Sequence, residues 1–138
     1  DVCARNIPPD AESFLTEIIG EFKKNNIRTS VFINPELKFL ENLNKIGADR
    51  VELYTEDYAI NYEKGNPLAI TPYIECARML NQLNIGVNAG HDLSLNNISF
   101  FKQKINNLLE VSIGHALITE SLFQGLETVI KLYLQKLS

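Results

Sequence analysis

Short runs rich in β-branched residues alternate along the chain with longer stretches whose apolar side chains recur every three or four positions. After the Pro8-Pro9 break, Asp10 is placed to cap a first helix on which Phe14, Leu15, Ile18, Ile19 and Phe22 share a face, and Asn25-Asn26 stops it. Thr29–Ile33 reads as a buried strand. It closes at Asn34-Pro35, an N-cap followed by proline at a first helical position. The helix opened there buries Leu37, Leu40, Leu43 and Ile46, stops at Gly47, and gives way to a second strand over Arg50–Tyr54. Residues 55–70 are acidic, carry tyrosines, Gly65 and Pro67, and show no such period, so they read as a long loop, functional or mobile. Tyr54, Thr55, Glu56, Asp57 and Tyr58 then belong either to a lid or to an ordinary exposed loop.

Thr71-Pro72 restarts a helix with Ile74, Ala77, Leu80 and Leu83 on one face. A third strand, Ile85–Ala89, runs into Gly90-His91-Asp92. Ser94 is placed to cap a helix with Ile98, Phe101, Ile105 and Leu108 inward, before a fourth strand over Glu110–Ile113 that ends in Gly114-His115. A last helix spans roughly Thr119 to Lys136, with Leu122, Leu126, Val129, Tyr133 and Leu137 facing the core.

Strand followed by helix, repeated, predicts an α/β fold of parallel strands with helical crossovers. No GxGxxG turn follows any strand, so a dinucleotide-binding doubly wound sheet loses its signature and a barrel is favoured. About four βα units are visible, half of what a (β/α)₈ TIM barrel needs, which would leave two raw edges. Composition never shifts, so residues 1–138 read as a single segment, the C-terminal half of a TIM-barrel domain whose N-terminal half is expected elsewhere. The opening Asp1-Val2-Cys3, without Met, agrees with a part of a longer polypeptide.

The 138 residues are 45% hydrophobic and 22% charged, which fits neither a disordered tail nor a membrane protein. No apolar run approaches the ~18–20 residues of a bilayer span, and no signal peptide opens the chain. With 13 basic and 17 acidic residues the net charge is −4, and no Lys/Arg stripe exists to release counterions from nucleic acid. A local anion site at a helix N-terminus remains open. Cys3 and Cys76 lack CxxC spacing and a nearby His pair, so they read as reduced thiols of a cytoplasmic protein without a zinc site. No metal or cofactor is expected.

Both histidines occupy equivalent places, each after a glycine at the C-terminal end of a strand, in Ala89-Gly90-His91-Asp92 and Ile113-Gly114-His115-Ala116. In parallel α/β folds that edge holds the ligand, and in barrels the loops after the last strands often hold a phosphate. The structural alternative is an imidazole bonded to a neighbouring carbonyl. Glu52, inside the second strand, points into a barrel interior or toward a helix layer, and is either a paired structural acid or a catalytic group. Asn88 is a similar polar intruder, a lining residue by its position. Arg28 and Arg50 precede strands, at the wrong end for the site, where solvated or stabilising roles fit.

The segments Ile27–Ile33, Ala48–Thr55, Gly86–Leu93 (with its Val87-Asn88-Ala89-Gly90-His91 core) and Ser112–Ile118 together resemble the C-terminal half of the pyridoxine 5′-phosphate synthase family. The resemblance runs from about Ile27 to the C-terminus. It implies a (β/α)₈ barrel of vitamin B6 biosynthesis, a transferase that condenses 1-deoxy-D-xylulose 5-phosphate with 3-amino-2-oxopropyl phosphate to pyridoxine 5′-phosphate, phosphate and water. By resemblance His91 is the proton-donating histidine, Glu52 the carboxylate that stabilises the transition state, and Gly114 and His115 bind the aminoketone phosphate. The family's glycine after the histidine is Asp92 here, where a phosphate contact would run through the backbone N–H. The family's other catalytic bases and its arginine phosphate contacts belong to the N-terminal half, so this segment alone is expected to be inactive. The family also implies a homo-oligomer acting on small phosphorylated substrates.

Two rival readings stay open. One is another phosphate-binding barrel enzyme, although no strand ends in the lysine that a Schiff-base aldolase needs. The other is a non-catalytic α/β module that binds a sugar phosphate, which replacement of His91 by Asn would distinguish.

Overall fold

A computed structural model describes residues 9–138, with side chains from residue 12 onward. The elements run α1 (Pro9–Lys24), β1 (Ser30–Ile33), a 3₁₀ turn (Leu37–Phe39), α2 (Leu43–Ile46), β2 (Arg50–Tyr54), α3 (Glu56–Glu63) and α4 (Thr71–Gln82). They continue with β3 (Gly86–His91), α5 (Ile98–Lys104), β4 (Leu108–Ile113), α6 (His115–Gln124) and α7 (Leu126–Leu137). The strands form one sheet in the order β1-β2-β3-β4, each pair parallel and each connection containing helix. This is the α/β arrangement that the alternating pattern predicts.

The two faces of the sheet are chemically different. Val31 and Ile33, Val51 and Leu53, and Val87 and Ala89 alternate onto one face and are buried beneath the helices. The other face carries Phe32, Arg50, Glu52, Tyr54, Asn88 and Gly90. β4 joins this scheme through a register shift: Val87 pairs with Leu108, but Asn88 pairs with Glu110. Leu109 is the extra residue, and it is exposed. The bulge switches the parity of everything after it, so Glu110 and Ser112 share the polar face and Val111 packs against the core.

An aromatic cluster closes the core where the sequence pattern predicts a loop. Residues 56–63 are helical rather than irregular. Glu56 and Asp57 favour a helix N-terminus electrostatically, and Tyr58 and Tyr62, one turn apart, form the inward pair. Tyr58 is fully buried against Tyr73 and Phe101, and its hydroxyl donates to the Asn97 carbonyl at 2.7 Å. Thr55 is fully buried as well. This segment is therefore neither a lid nor an exposed loop.

Other elements also differ from their predicted extents. The helix after Pro35 is reduced to the 3₁₀ turn and α2, with Leu40, Leu43 and Ile46 buried but Leu37 exposed. Gly47 ends it as expected, in the left-handed conformation at φ 72°. The α5 helix starts at Ile98, because Ser94 forms a turn in which its N–H donates to Asn97 Oδ1 at 2.9 Å. Leu108 belongs to β4. The last helix is two helices: Gly125, at φ 83° and ψ 139°, breaks it. The break leaves Val129 and Tyr133 buried but turns Leu122 and Leu126 outward, at 80% and 52% exposure. Asp10 sits inside α1 rather than ahead of it, and its side chain, like Cys3, lies outside the described residues. Cys76 is buried in α4, and burial pushes its thiol up to about 12, where it is inert.

Candidate active site

His91 is the last residue of β3. Strict alternation after Val87 and Ala89 would send its side chain under the helices. Its φ is instead 85°, a left-handed value that non-glycine residues seldom adopt. The turn delivers the imidazole to the polar face, with ring centroids 5.2 Å from Phe32 and 5.9 Å from Tyr54. Backbone of this kind costs on the order of 1–3 kcal/mol and persists only where its surroundings hold it.

Glu52 stands in mid-strand on the same face. Its side chain reaches across β3 to β4, where Ser112 Oγ donates to Oε2 at 3.0 Å. Gly90 lies beneath this bridge. A Cβ there would collide with Glu52 Oε1 and stand 2.7 Å from the Ser112 carbonyl oxygen, so glycine is required by close approach. Beyond β4, Gly114 leads directly into α6, which opens at His115. The leading N–H groups of an α-helix have no acceptor within the helix and favour an anion.

Glu52, His91, Ser112, Ile113, Gly114 and His115 line one hollow of ≈ 530 Å³. That volume suits a small organic molecule. It presents one carboxylate, two imidazoles, a hydroxyl and a helix N-terminus, a set able to bind an anion and to exchange protons near neutral pH. Asp92 is not among the lining residues. Its N–H is donated to Thr55 Oγ1 at 3.1 Å, and its Oδ2 is enclosed without a hydrogen-bond partner among the described residues. Burial, reinforced by the nearby Glu56 charge, raises the Asp92 carboxyl above its ordinary value, while His91 and His115 oppose the rise.

At the opposite end of the polar face the charges are paired. Arg28 grips Glu110 with two bonds, at 2.9 and 3.0 Å, and Arg50 Nη1 lies 2.9 Å from Glu110 Oε2. Asn88 joins them, accepting from Arg50 at 3.2 Å and donating to Glu110 at 3.1 Å. The Arg28 guanidinium holds the Glu110 carboxyl below its ordinary value. Arg28 and Arg50 are thus ion-paired at the end of the face away from the hollow, and Asn88 lines this face. Among the described residues no group of three or more His, Cys, Asp or Glu is placed to hold a metal ion. No helix among them is long and apolar enough to cross a membrane.

The sequence model of the family described as pyridoxal phosphate biosynthesis protein PdxJ matches residues 8–138. The chain belongs to the PdxJ family. It is 55% identical over 126 residues to the pyridoxine 5′-phosphate synthase of Flavobacterium johnsoniae, covering 91% of this chain and 53% of that protein. The Christiangramia forsetii synthase is 54% identical over 124 residues, 90% of this chain and 52% of that one. The Cytophaga hutchinsonii synthase is 53% identical over 126 residues, 91% and 53% respectively. The chain therefore spans about half the length of the curated relatives it matches.

Within this PdxJ chain, four of the five residues singled out from sequence, Glu52, His91, Gly114 and His115, meet in the hollow, and Asp92 stands behind it. Sequence reasoning passes over Ser112, which holds Glu52, and places Thr55, which grips the backbone beside His91, in a lid or an exposed loop. Ser112 carried a signal, a hydroxyl inside an otherwise apolar strand end. Thr55 looked like a loop residue, and only the fold reveals it as buried.

Proposed function

We propose that this chain forms the C-terminal half of a (β/α)₈ barrel and supplies the proton-donating and phosphate-holding part of a pyridoxine 5′-phosphate synthase site. The observation that carries the reading is the meeting of His91, Glu52, Gly114 and His115 in one hollow, in a chain of the PdxJ family. The barrel reading is supported by the parallel β1-β2-β3-β4 order and by the polar face opposite the helices.

In this reading the substrates are 1-deoxy-D-xylulose 5-phosphate and 3-amino-2-oxopropyl phosphate, and the products are pyridoxine 5′-phosphate, phosphate and water. Gly114 and His115 receive the aminoketone phosphate at the start of α6, where backbone N–H groups supply the attraction that an acidic surface lacks. His91 delivers protons to oxygen leaving groups as carbinols dehydrate, a task matched to an imidazole near neutral pH. Glu52, fixed by Ser112, faces the positive charge that develops on nitrogen when the amine adds to the ketone. The Asp92 backbone N–H, through which the resemblance implies a phosphate contact, is given to Thr55 Oγ1 instead. No metal or cofactor is called for. The working protein is a cytoplasmic homo-oligomer, in which exposed apolar residues such as Leu122, Phe123 and Leu134 are covered.

The test is complementation. The chain is mixed with the N-terminal half of the Flavobacterium johnsoniae synthase, both substrates are added, and pyridoxine 5′-phosphate is followed by chromatography. Product is expected from the mixture, none from either half alone, and none when the chain carries His91→Asn. A mixture that associates but makes no product overturns the reading. Substrate binding that His91→Asn leaves intact, without turnover in either form, would favour the sugar-phosphate module.

A further inference from the structure

We infer that Thr55 is a positioning residue for His91, holding the imidazole on the substrate face by bonding to the backbone on both sides of it. Thr55 Oγ1 donates to the Gly90 carbonyl at 2.5 Å and accepts the Asp92 N–H at 3.1 Å. These groups belong to the peptides immediately before and after His91. One hydroxyl thus spans the residue whose φ of 85° departs from strand geometry.

The arrangement answers a packing problem. A side chain that followed the strand's alternation would lie with Val87 and Ala89 under the helices, away from Glu52 and the hollow. The reversed backbone delivers the ring to Phe32 and Tyr54 instead. Thr55 follows the last residue of the neighbouring β2 and has no exposed surface, so its hydroxyl has no water to turn to. It is a single atom that can both donate and accept, which the Gly90 carbonyl and the Asp92 N–H together require. Valine has the same shape and neither capacity, whereas serine keeps both.

The consequence for turnover rests on the reading of His91 as proton donor; the conformational claim does not. The experiment therefore has three readouts on Thr55→Val and Thr55→Ser. First, the His91 ring-proton resonances, displaced in the parent by the Phe32 and Tyr54 ring currents, are expected to move toward random-coil positions in Thr55→Val and to stay in place in Thr55→Ser. Second, Thr55→Val is expected to lower the urea midpoint less in a His91→Gly background, because glycine adopts a positive φ without strain. Third, in the complemented synthase, Thr55→Val is expected to reduce kcat by at least about tenfold with KM little changed, since misplacement of a catalytic group acts on the chemical step, and Thr55→Ser is expected to restore it.

A Thr55→Val chain that folds only in the His91→Gly background supports the inference equally. Unmoved His91 resonances overturn it, as does an equal midpoint loss, or failure to fold, in both backgrounds. Should the unsubstituted complemented protein make no product, the proposed function fails while the first two readouts still decide the role of Thr55.

Discussion

Glu52 and Ser112 are hydrogen-bonded across an intervening strand: Ser112 Oγ donates to Glu52 Oε2 at 3.0 Å, over Gly90 of β3. Parallel strands two places apart cannot ordinarily join their short side chains, because a side chain on the middle strand stands between them. Gly90→Ala restores that obstacle. The added methyl meets the movable carboxylate on one side and the Ser112 backbone carbonyl on the other, and the second cannot swing away. A loss of about 1–3 kcal/mol in urea unfolding is expected, the range for an overpacked site. Ser112→Ala frees Glu52 without overpacking, so its stability loss should be the smaller. Equal stability of Gly90→Ala and the parent would show that the strands separate freely.

The strands were legible because each depends on a local run of apolar residues, as Val51 and Leu53 show in β2. The pairing of Gly90-His91 with Gly114-His115 was legible too, since equivalent positions in repeated units share one edge of a parallel sheet. What escaped was decided by tertiary contact. The α3 helix is anchored by Tyr58 against Tyr73 and Phe101, which are 15 and 43 positions onward and invisible to any local window. The turn that brings His91 to the polar face is likewise bracketed by hydrogen bonds to Thr55, just beyond β2, and the parity of β4 is set by a bulge at Leu109.

Asp92 makes the stability of the chain fall as pH rises through the range just above an ordinary carboxylate value. Its carboxyl is raised in the folded chain, first by burial and then by Glu56. Between the unfolded and the folded values the folded state therefore binds more protons, and raising the pH favours unfolding. Asp49 and Glu110 are lowered instead, so their contributions are lost only as pH falls below the ordinary range, in a separate window. Asp92→Asn is expected to flatten the slope of urea midpoint against pH just above the ordinary carboxylate range and to be the more stable form at the upper end of that window. Parallel curves for the two proteins would remove Asp92 from the account.

The break between α6 and α7 predicts opposite outcomes at neighbouring positions. Gly125 holds φ 83° and ψ 139°, a combination that side chains strongly disfavour, and Gly125→Ala is expected to lose about 1–3 kcal/mol. Leu122, 80% exposed, has little to lose, and Leu122→Ala is expected to stay within about 0.5 kcal/mol in the chain by itself. Tyr133 is buried and donates to Glu120 Oε2 at 2.6 Å, and Tyr133→Phe is expected to lose about 1–3 kcal/mol. Thermal melts of the three variants check the order. A continuous helix with Leu122 inward would make Leu122→Ala the worst of them.

The two imidazoles of the hollow should fail in different ways when replaced, because their backbone settings differ. His91 packs against both Phe32 and Tyr54, and in the proposed function it is the group that moves protons. In the complemented synthase His91→Asn is expected to reduce kcat by about 10²–10⁴-fold while substrate still binds. His115 instead opens α6, so what it adds to a phosphate comes together with the backbone N–H groups of that first turn. His115→Ala leaves those groups in place and is expected to raise KM for the aminoketone phosphate with kcat less affected. Steady-state kinetics with each substrate varied separate the two effects. Were both variants to lose kcat alike with KM unchanged, the phosphate would have to be held elsewhere, and the hollow would serve proton transfer only.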